Sequence, residues 1–139
     1  MPQVDSRPLF KVNIEVGAPA TVGNVPHGFA RRVVPITGGS FAGERLKGRV
    51  LAGGGDTILV RADGAAHLDV RLTLETDAGE AIYMTYSGRR VARAQGDYFR
   101  VAVQFETASE SLKWLNDILA VGYGTREPTG PVYEVVEIL

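Results

Sequence analysis

Alternation of apolar and polar side chains is the main pattern of this chain, and it is most regular between His67 and Glu75. Within that stretch Leu68, Val70 and Leu72 alternate with charged or hydroxyl-bearing residues. Successive side chains of a β-strand point to opposite faces of the sheet. The stretch therefore predicts a central strand with one apolar face and one polar face.

The same alternation, or a short apolar run bounded by glycine and proline, predicts eight further strands. They are expected at residues 9–16, 31–36, 44–51, 57–62, 81–86, 98–106, 118–126 and 131–139. Residues 17–30 are rich in proline and glycine and residues 89–97 lack periodicity, so both segments are predicted to be loops. The one predicted helix is about two turns long, is capped by Ser109 and ends at Asn116-Asp117.

About nine short strands, one short helix and no alternation of strands with helices favour an all-β, mainly antiparallel fold. A barrel and a sandwich both fit this pattern, and we expect a β-barrel. A chain of 139 residues is most simply one domain, here residues 1–139. Residues 1–8 are expected to form a flexible N-terminal tail.

Composition narrows the classes of function. The 15 basic and 16 acidic residues give a formal net charge of −1, so no general field attracts nucleic acid or an acidic membrane. The chain contains no cysteine, which excludes thiol catalysis and cysteine-ligated metals. No segment approaches the roughly 18 apolar residues of a membrane span, and the N-terminus has no apolar run of signal length. We expect a cytoplasmic protein with no nucleic-acid or membrane partner.

The polar faces of two predicted strands leave two arrangements open. In one, they are ordinary outer faces in contact with water. In the other, they line a ligand-holding barrel interior, while the helix, the long loop or a partner subunit covers the apolar faces. The residues concerned are Asp69, Arg71, Thr73 and Glu75 on one strand and Tyr98, Arg100, Gln104 and Glu106 on another.

Asp69 and Arg71 are the first candidates for catalysis. They share one face of the central strand about 6.6 Å apart, so their side chains can meet directly or through a bound anion. In an enclosed interior the pair would act as a general base and an electrostatic clamp for an enolate or a carboxylate. The alternative is a structural ion pair that braces the barrel.

Two other carboxylates are candidate substrate-binding residues. Asp56 follows three glycines, and it either projects into the barrel mouth or closes the turn by accepting backbone N–H bonds. Glu75 lies on the same face as Thr73 near the end of its strand, so a lining position and a rim position are both open.

The remaining candidate substrate-binding residues are aromatic, basic or amide side chains. Arg100 lies beside Tyr98 on one face and would bind a carboxylate or a phenolate, unless it is simply solvated. Tyr86 or Tyr98 would donate a hydrogen bond to the ligand. Trp114 and Asn116 lie at the end of the predicted helix, where the simpler roles are a core anchor and a C-terminal cap.

No cofactor or metal is predicted. The glycine triplet before Asp56 is not a phosphate loop, because no Gly-Lys-Ser or Gly-Lys-Thr follows it into a helix. His67 and Asp69 have a strand spacing that offers two metal ligands, and no third ligand is apparent.

A series of motifs runs in one order through nearly the whole chain. They are Arg32…Pro35-Ile36-Thr37-Gly38-Gly39, Leu46-Lys47-Gly48-Arg49-Val50, Gly53-Gly54-Gly55-Asp56, Leu68-Asp69-Val70-Arg71, Leu74-Glu75-Thr76, Tyr98-Phe99-Arg100, Phe105-Glu106-Thr107 and Trp114-Leu115-Asn116. Together they resemble the uncharacterised family known as domain of unknown function 3237, or uncharacterised protein family 0311.

This resemblance implies an antiparallel, lipocalin-like β-barrel. It also implies relatives in fungal polyketide tailoring that add a hydroxyl across an alkene to close an ether ring, an activity that a shared fold does not transfer by itself. The family pattern has Trp after the Asp of the glycine loop, where this chain has Thr57. An aromatic wall for a pocket would then be missing or come from Tyr83, Tyr86 or Tyr123.

Three hypotheses of function follow. The first is a cofactor-independent lyase, isomerase or cyclase that uses Asp69 as acid/base on a small hydrophobic carbonyl or phenolic ligand. The second is a non-catalytic barrel that binds a similar molecule, and the third is a structural oligomer without a ligand. A homo-oligomer is expected in all three, because one short helix cannot cover the apolar residues found on both faces of several strands.

Overall fold

The computed structural model describes all residues from 1 to 139 and contains ten β-strands and one 3-10 helix, Lys113–Asp117. The strands are β1 (Ser6–Val16), β2 (Ala20–Asn24), β3 (Ala30–Ala42), β4 (Lys47–Val50), β5 (Gly55–Val60), β6 (Ala66–Thr76), β7 (Ala81–Val91), β8 (Tyr98–Glu106), β9 (Ala120–Glu127) and β10 (Gly130–Ile138). No helix is long and apolar enough to cross a membrane.

The strands form one antiparallel sheet that closes on itself. Neighbours follow the order β1, β10, β9, β8, β7 and β6, after which β4 and β5 share one position between β6 and β3. The pairing of β3 with β1 closes the sheet into a barrel of eight strand positions. β2 lies outside this ring and pairs with the first part of β3. The prediction of an all-β barrel is confirmed.

The apolar faces of the strands point into the barrel. On β6, Leu68 and Leu72 are at most 3% exposed, whereas Asp69 and Arg71 are exposed on the outer face. The predicted arrangement with a polar interior and covered apolar faces is therefore wrong. A barrel of this size is filled by its own side chains, and apolar residues fill it without the cost of burying unpaired charges.

Several element bounds differ from the sequence-based expectation. β2 lies within the predicted loop 17–30, and β7 continues through Arg90 into the second predicted loop. Residues 6–8 belong to β1 and pair with β10, so they are not part of a flexible tail. These segments are polar on their outer side, and backbone pairing rather than side-chain periodicity places them in the sheet.

The predicted helix is shorter than expected and begins later. Leu112 occupies the position before its first residue, and no side chain caps it. Ser109, the predicted cap, instead donates a hydrogen bond from its hydroxyl to the Glu80 carboxylate. The 3-10 helix closes the end of the barrel where β8 ends and β9 begins, with Leu115 fully buried there. The opposite end, where β7 ends and β8 begins, is not closed by a helix.

Inward-facing glycines on β9 make room for aromatic rings near that open end. A Cβ built on Gly124 would lie 2.7 Å from the ring of Phe99. A Cβ on Gly122 would lie 2.6 Å from Val101 and 3.4 Å from Tyr133. The two glycines therefore allow Phe99 and Tyr133 to lie against the backbone of β9.

We expect Gly124→Ala to destabilise the protein by about 1–3 kcal/mol, because the added methyl overlaps the buried Phe99 ring and forces it to move. Urea denaturation measures this change. Gly55→Ala is the matched control, since its Cβ would meet only the Val34 carbonyl oxygen at 3.6 Å. Equal stability of both variants and the wild type would contradict the packing described here.

Candidate functional site

The open end of the barrel leads into a cavity of about 240 Å³, here called the end cavity. Most of its walls are aliphatic or aromatic and come from the inner faces of seven strands. Its polar lining residues are Arg32, Asp56, Tyr86, Arg90, Arg126, Glu127 and Tyr133. A concave apolar site with a few convergent polar groups is the usual form of a small-molecule site.

A larger depression of about 590 Å³ lies on the outside of the barrel, between the first part of β1 and β10. Two arginines on its wall, Arg7 and Arg45, are both paired with Glu137 at 3.0 and 2.8 Å. Their donors are thus already engaged within the protein. The end cavity is the better candidate site because two of its buried polar atoms, Arg32 Nε and Asp56 Oδ1, have no hydrogen-bond partner.

Strand register brings the polar groups of the end cavity together. Asp56 on β5 lies opposite Val70 on β6, which in turn lies opposite Tyr86 on β7. Since β6 contributes an inward Val70 at this level, Asp56 and Tyr86 also point inward. Tyr133 reaches the same region from β10, with its ring centroid 5.1 Å from that of Tyr86 in an edge-to-face arrangement.

Asp56 is the acidic group of this apolar environment. Burial is the main cause that raises the pKa of its carboxyl from 3.8 to about 6. A backbone hydrogen bond from Asp69 and the charges of Arg90 and Arg32 oppose this shift without cancelling it. Its Oδ1 atom is buried and has no hydrogen-bond partner. The carboxyl group can therefore exchange a proton close to neutral pH, and one of its oxygens is free to contact a ligand.

The two tyrosines remain protonated at neutral pH. Burial raises the pKa of Tyr86 well above its usual range, and the neighbouring Tyr133 raises it further. Burial likewise raises the pKa of Tyr133. Both hydroxyls are thus neutral, and because a hydrogen bond joins them, one proton of the pair is left to donate to an oxygen atom in the cavity.

Three arginines lie on the wall of the end cavity. Arg126 is paired with Asp97, with 3.2 Å between guanidinium and carboxylate. Arg90 is half-buried, and burial together with the charges of Arg126 and Arg32 lowers its pKa. The Nε atom of Arg32 is buried and has no hydrogen-bond partner.

Two of the nine predicted site residues lie in the end cavity, namely Asp56 and Tyr86. The predicted catalytic pair does not. Asp69 and Arg71 are exposed on the outer face of β6 and form no ion pair with each other. Asp69 and Arg71 therefore have no enclosed site in which to act as a general base and an electrostatic clamp. The leucine and valine side chains of β6 face the barrel interior instead.

Glu75, Tyr98 and Arg100 also lie outside the cavity. Glu75 accepts hydrogen bonds from Arg49 at 3.1 and 2.9 Å on the outer surface. The Arg100 guanidinium lies 5.4 Å from the ring centroid of Tyr98 and 4.3 Å from that of Tyr123. These residues form a cation–π stack on the outer face of β8 and β9.

Trp114 and Asn116 lie at the closed end, away from the end cavity. Trp114 packs against the core and carries the Arg45 guanidinium 4.2 Å from its ring centroid. The Asn116 side chain exchanges two hydrogen bonds with the backbone of Thr107, both 3.0 Å long. The contacts of Trp114 fit the predicted core anchor. Asn116, by contrast, lies within the helix, whose C-cap is Ile118, and connects it to Thr107.

Sequence reasoning missed Arg32, Arg90, Arg126 and Tyr133. A signal was present for Arg90, because the inward series of β7 passes through Met84 and Tyr86 and continues in steps of two to position 90. The sequence-based prediction ends this strand before Gly88 and places Arg90 in a loop, so Arg90 is not recognised as an inward-facing residue. Thr57, which stands where the family pattern has Trp, points outward and donates a hydrogen bond to the Asp69 carbonyl oxygen at 3.1 Å. A tryptophan there would not wall the cavity.

Fold and cavity together define a small, closed antiparallel β-barrel of the lipocalin-like kind. The family model described as "Protein of unknown function (DUF3237)" matches residues 5–138. The chain belongs to this family, which confirms the resemblance seen in its motifs.

Relatives with solved structures share the barrel. A β-barrel-like protein of Acinetobacter baumannii has a TM-score of 0.95 and 34% identity, over 100% of this chain and 98% of its own. A protein of unknown function from Rhodopseudomonas palustris has a TM-score of 0.94 and 28% identity, over 100% of both chains.

One relative has an activity in its name. A hydroalkoxylation enzyme of Penicillium herquei is 34% identical to this chain, over 82% of this chain and 70% of the enzyme. The crystal structure of an enzyme from the same organism has a TM-score of 0.84 and 26% identity, over 100% of this chain and 98% of that one.

Asp56→Asn is expected to stabilise the protein at neutral pH. Folding raises the pKa of Asp56 from 3.8 to about 6, so the native state holds this proton more tightly than the unfolded state. Wild-type stability should therefore fall as the pH rises from about 4 to about 6 and stay lower above that range. The uncharged amide avoids this loss of stability, so the free energy of unfolding of Asp56→Asn should exceed that of the wild type by about 3 kcal/mol above pH 6.

Urea denaturation of both proteins across this pH range measures the effect. The difference should shrink towards zero below about pH 4, where both side chains are neutral. A difference that does not change with pH would mean that the Asp56 carboxyl is solvated.

Proposed function

We propose that this protein is a cofactor-independent acid/base catalyst that acts on a hydrophobic phenolic or carbonyl compound in the end cavity. The observation that carries the proposal is the Asp56 carboxyl, which is held in an apolar cavity, has a pKa raised to about 6 and has one unpartnered oxygen. General acid/base catalysis works best when the pKa of the group lies near the working pH. Asp56 takes the role that the sequence had suggested for Asp69.

The relative from Penicillium herquei supports an addition of a hydroxyl to a carbon–carbon double bond as the reaction class. In such a step the C–O bond forms, the π bond breaks, and one proton moves from oxygen to carbon. Asp56 as carboxylate would accept the proton from the hydroxyl and, as acid, return it to carbon. The sum is an isomerisation that requires no oxidant or reductant.

The hydrogen-bonded pair Tyr86 and Tyr133 would assist as a neutral hydrogen-bond donor. When the double bond is conjugated to a carbonyl group, negative charge develops on the carbonyl oxygen as the hydroxyl adds. Donors that are already oriented in an apolar site stabilise such charge better than water does. The raised pKa of both phenols keeps the pair protonated for this purpose.

A suitable probe is 2-hydroxyphenyl propenyl ketone, a one-ring enone whose cyclisation gives 2-methylchroman-4-one. We expect the wild type to accelerate this cyclisation and Asp56→Asn to reduce kcat/KM by about a hundredfold or more. Because the base must be deprotonated, kcat/KM should fall as the pH drops through about 6. Product formation followed by chromatography gives the rates.

Asp69→Asn is the matched control, since Asp69 carries the same carboxyl on the outer face of the neighbouring strand. It should keep the wild-type rate. Full activity of Asp56→Asn would contradict the assignment of the acid/base. Calorimetric binding of the probe with no acceleration by the wild type would favour the non-catalytic barrel instead.

A further inference from the structure

Two arginines of the end cavity have no anionic partner in the protein. Arg32 and Arg90 line its wall, and neither forms an ion pair with a carboxylate. Arg126, the third arginine there, is paired with Asp97. The Asp56 carboxyl interacts with Arg90 and Arg32 through its charge, at a separation too large for an ion pair. Glu127 also lines the cavity, so the formal charges of the site balance, but Arg32 and Arg90 are cations that no carboxylate contacts in an ion pair.

Such an arrangement is costly for the free protein. The Nε atom of Arg32 is buried without a hydrogen-bond acceptor, and Arg90 is half-buried beside two like charges. In a partly desolvated site, a charged donor without an acceptor costs more free energy than a neutral donor without one. An anion placed between these side chains would supply the missing acceptors and offset the mutual repulsion. Guanidinium groups are well suited to bind a carboxylate.

Strand register separates the arginines from the acid/base. Asp56 lies opposite Val34 on β3, and Arg32 is the next inward residue of β3 towards the open end. On β7, Arg90 is two inward steps beyond Tyr86 in the same direction. Two strand residues span about 6.6 Å, so the cationic groups begin roughly that distance nearer the open end than Asp56. The other residues that line the cavity are mostly aliphatic or aromatic.

We propose that the end cavity recognises a hydrophobic carboxylate, which binds with its anionic group between Arg32 and Arg90 and its apolar body directed towards Asp56 and Tyr86. This inference names the substrate class of the proposed acid/base site and rests on that proposal for its functional meaning. The volume of about 240 Å³ suits an acid built on one or two rings. The reacting group would lie in the apolar region, at a distance from the carboxylate.

The test compares two probes of nearly equal shape, 2-naphthoate and the uncharged 2-naphthamide, by isothermal titration calorimetry. We expect the wild type to bind the carboxylate about tenfold or more tightly than the amide. Arg32→Met and Arg90→Met should each lose most of this preference. Raising the NaCl concentration should weaken binding of 2-naphthoate by the wild type and leave that of 2-naphthamide nearly unchanged.

The chain provides a matched control for each arginine. Arg31 and Arg89 are direct neighbours of Arg32 and Arg90 on the same strands and point to the outer face. Arg31→Met and Arg89→Met should keep the wild-type preference. Equal affinity of the wild type for the two probes, no binding of 2-naphthoate, or an unchanged preference in folded Arg32→Met and Arg90→Met would overturn the inference.

Asp56→Asn separates this inference from the proposed catalysis. The variant removes a negative charge near the arginines, so it should bind 2-naphthoate at least as tightly as the wild type. Retained carboxylate preference together with full catalytic activity of the variant would leave the anion site in place and refute the role of Asp56. If the wild type showed no preference for 2-naphthoate over 2-naphthamide while catalysis still depended on Asp56, only the anion site would be refuted.

Discussion

The antiparallel pairing of β1 with β3 closes the sheet, and the rest of the molecule depends on this closure. Residues 11–16 of β1 pair with residues 36–42 of β3 and connect the first strands to the last through β10. Once the sheet is closed, one face of every barrel strand points into an interior from which water is excluded. Apolar residues occupy that face, because burying unpaired polar groups costs free energy. A core of 26 buried residues meets that requirement. Polar groups that remain inside are then exceptions whose presence requires an explanation.

Asp56 is the clearest exception. Its position opposite Val34 and Val70 gives it an inward side chain, and the surrounding aliphatic and aromatic groups raise its pKa. The protein does not satisfy this carboxyl with a close ion pair, although Arg32 and Arg90 line the same cavity. Because Asp56 and the two arginines are separated, the Asp56 carboxyl remains able to exchange a proton. For the same reason, the arginines remain available to an anion. Both properties support the proposal that the end cavity binds a ligand.

The sequence allowed the fold to be predicted well, because alternation such as that of β6 survives in the structure as a buried and an exposed face. Extensions of strands were less predictable. β2 and the last part of β7 are held by backbone hydrogen bonds to neighbours, and their side chains show little of the periodicity that identifies a strand. The length of the helix could not be predicted, since Ser109 found a partner in Glu80, which lies far away in the chain.

The site was only partly predictable. Asp56 and Tyr86 are among the predicted site residues, but the alternation favours Asp69 and Arg71, because they share a regular polar face. Alternation shows that a strand has two faces and does not show which one is enclosed. In this barrel the apolar face is enclosed, so the charged face of β6 lies in water. Asp56 and Arg90 line the same cavity only through the pairing of β5, β6 and β7, which the sequence alone does not specify.

A direct test of the central claim is the titration of the Asp56 side-chain carboxyl by carbon NMR, with its signal identified by its absence from the spectrum of Asp56→Asn. The structure predicts a midpoint near 6 for this carbon, because burial in the end cavity disfavours the charged form. A midpoint near the ordinary value of 3.8 would show that the carboxyl is solvated. The end cavity would then not be the apolar acid/base site described here.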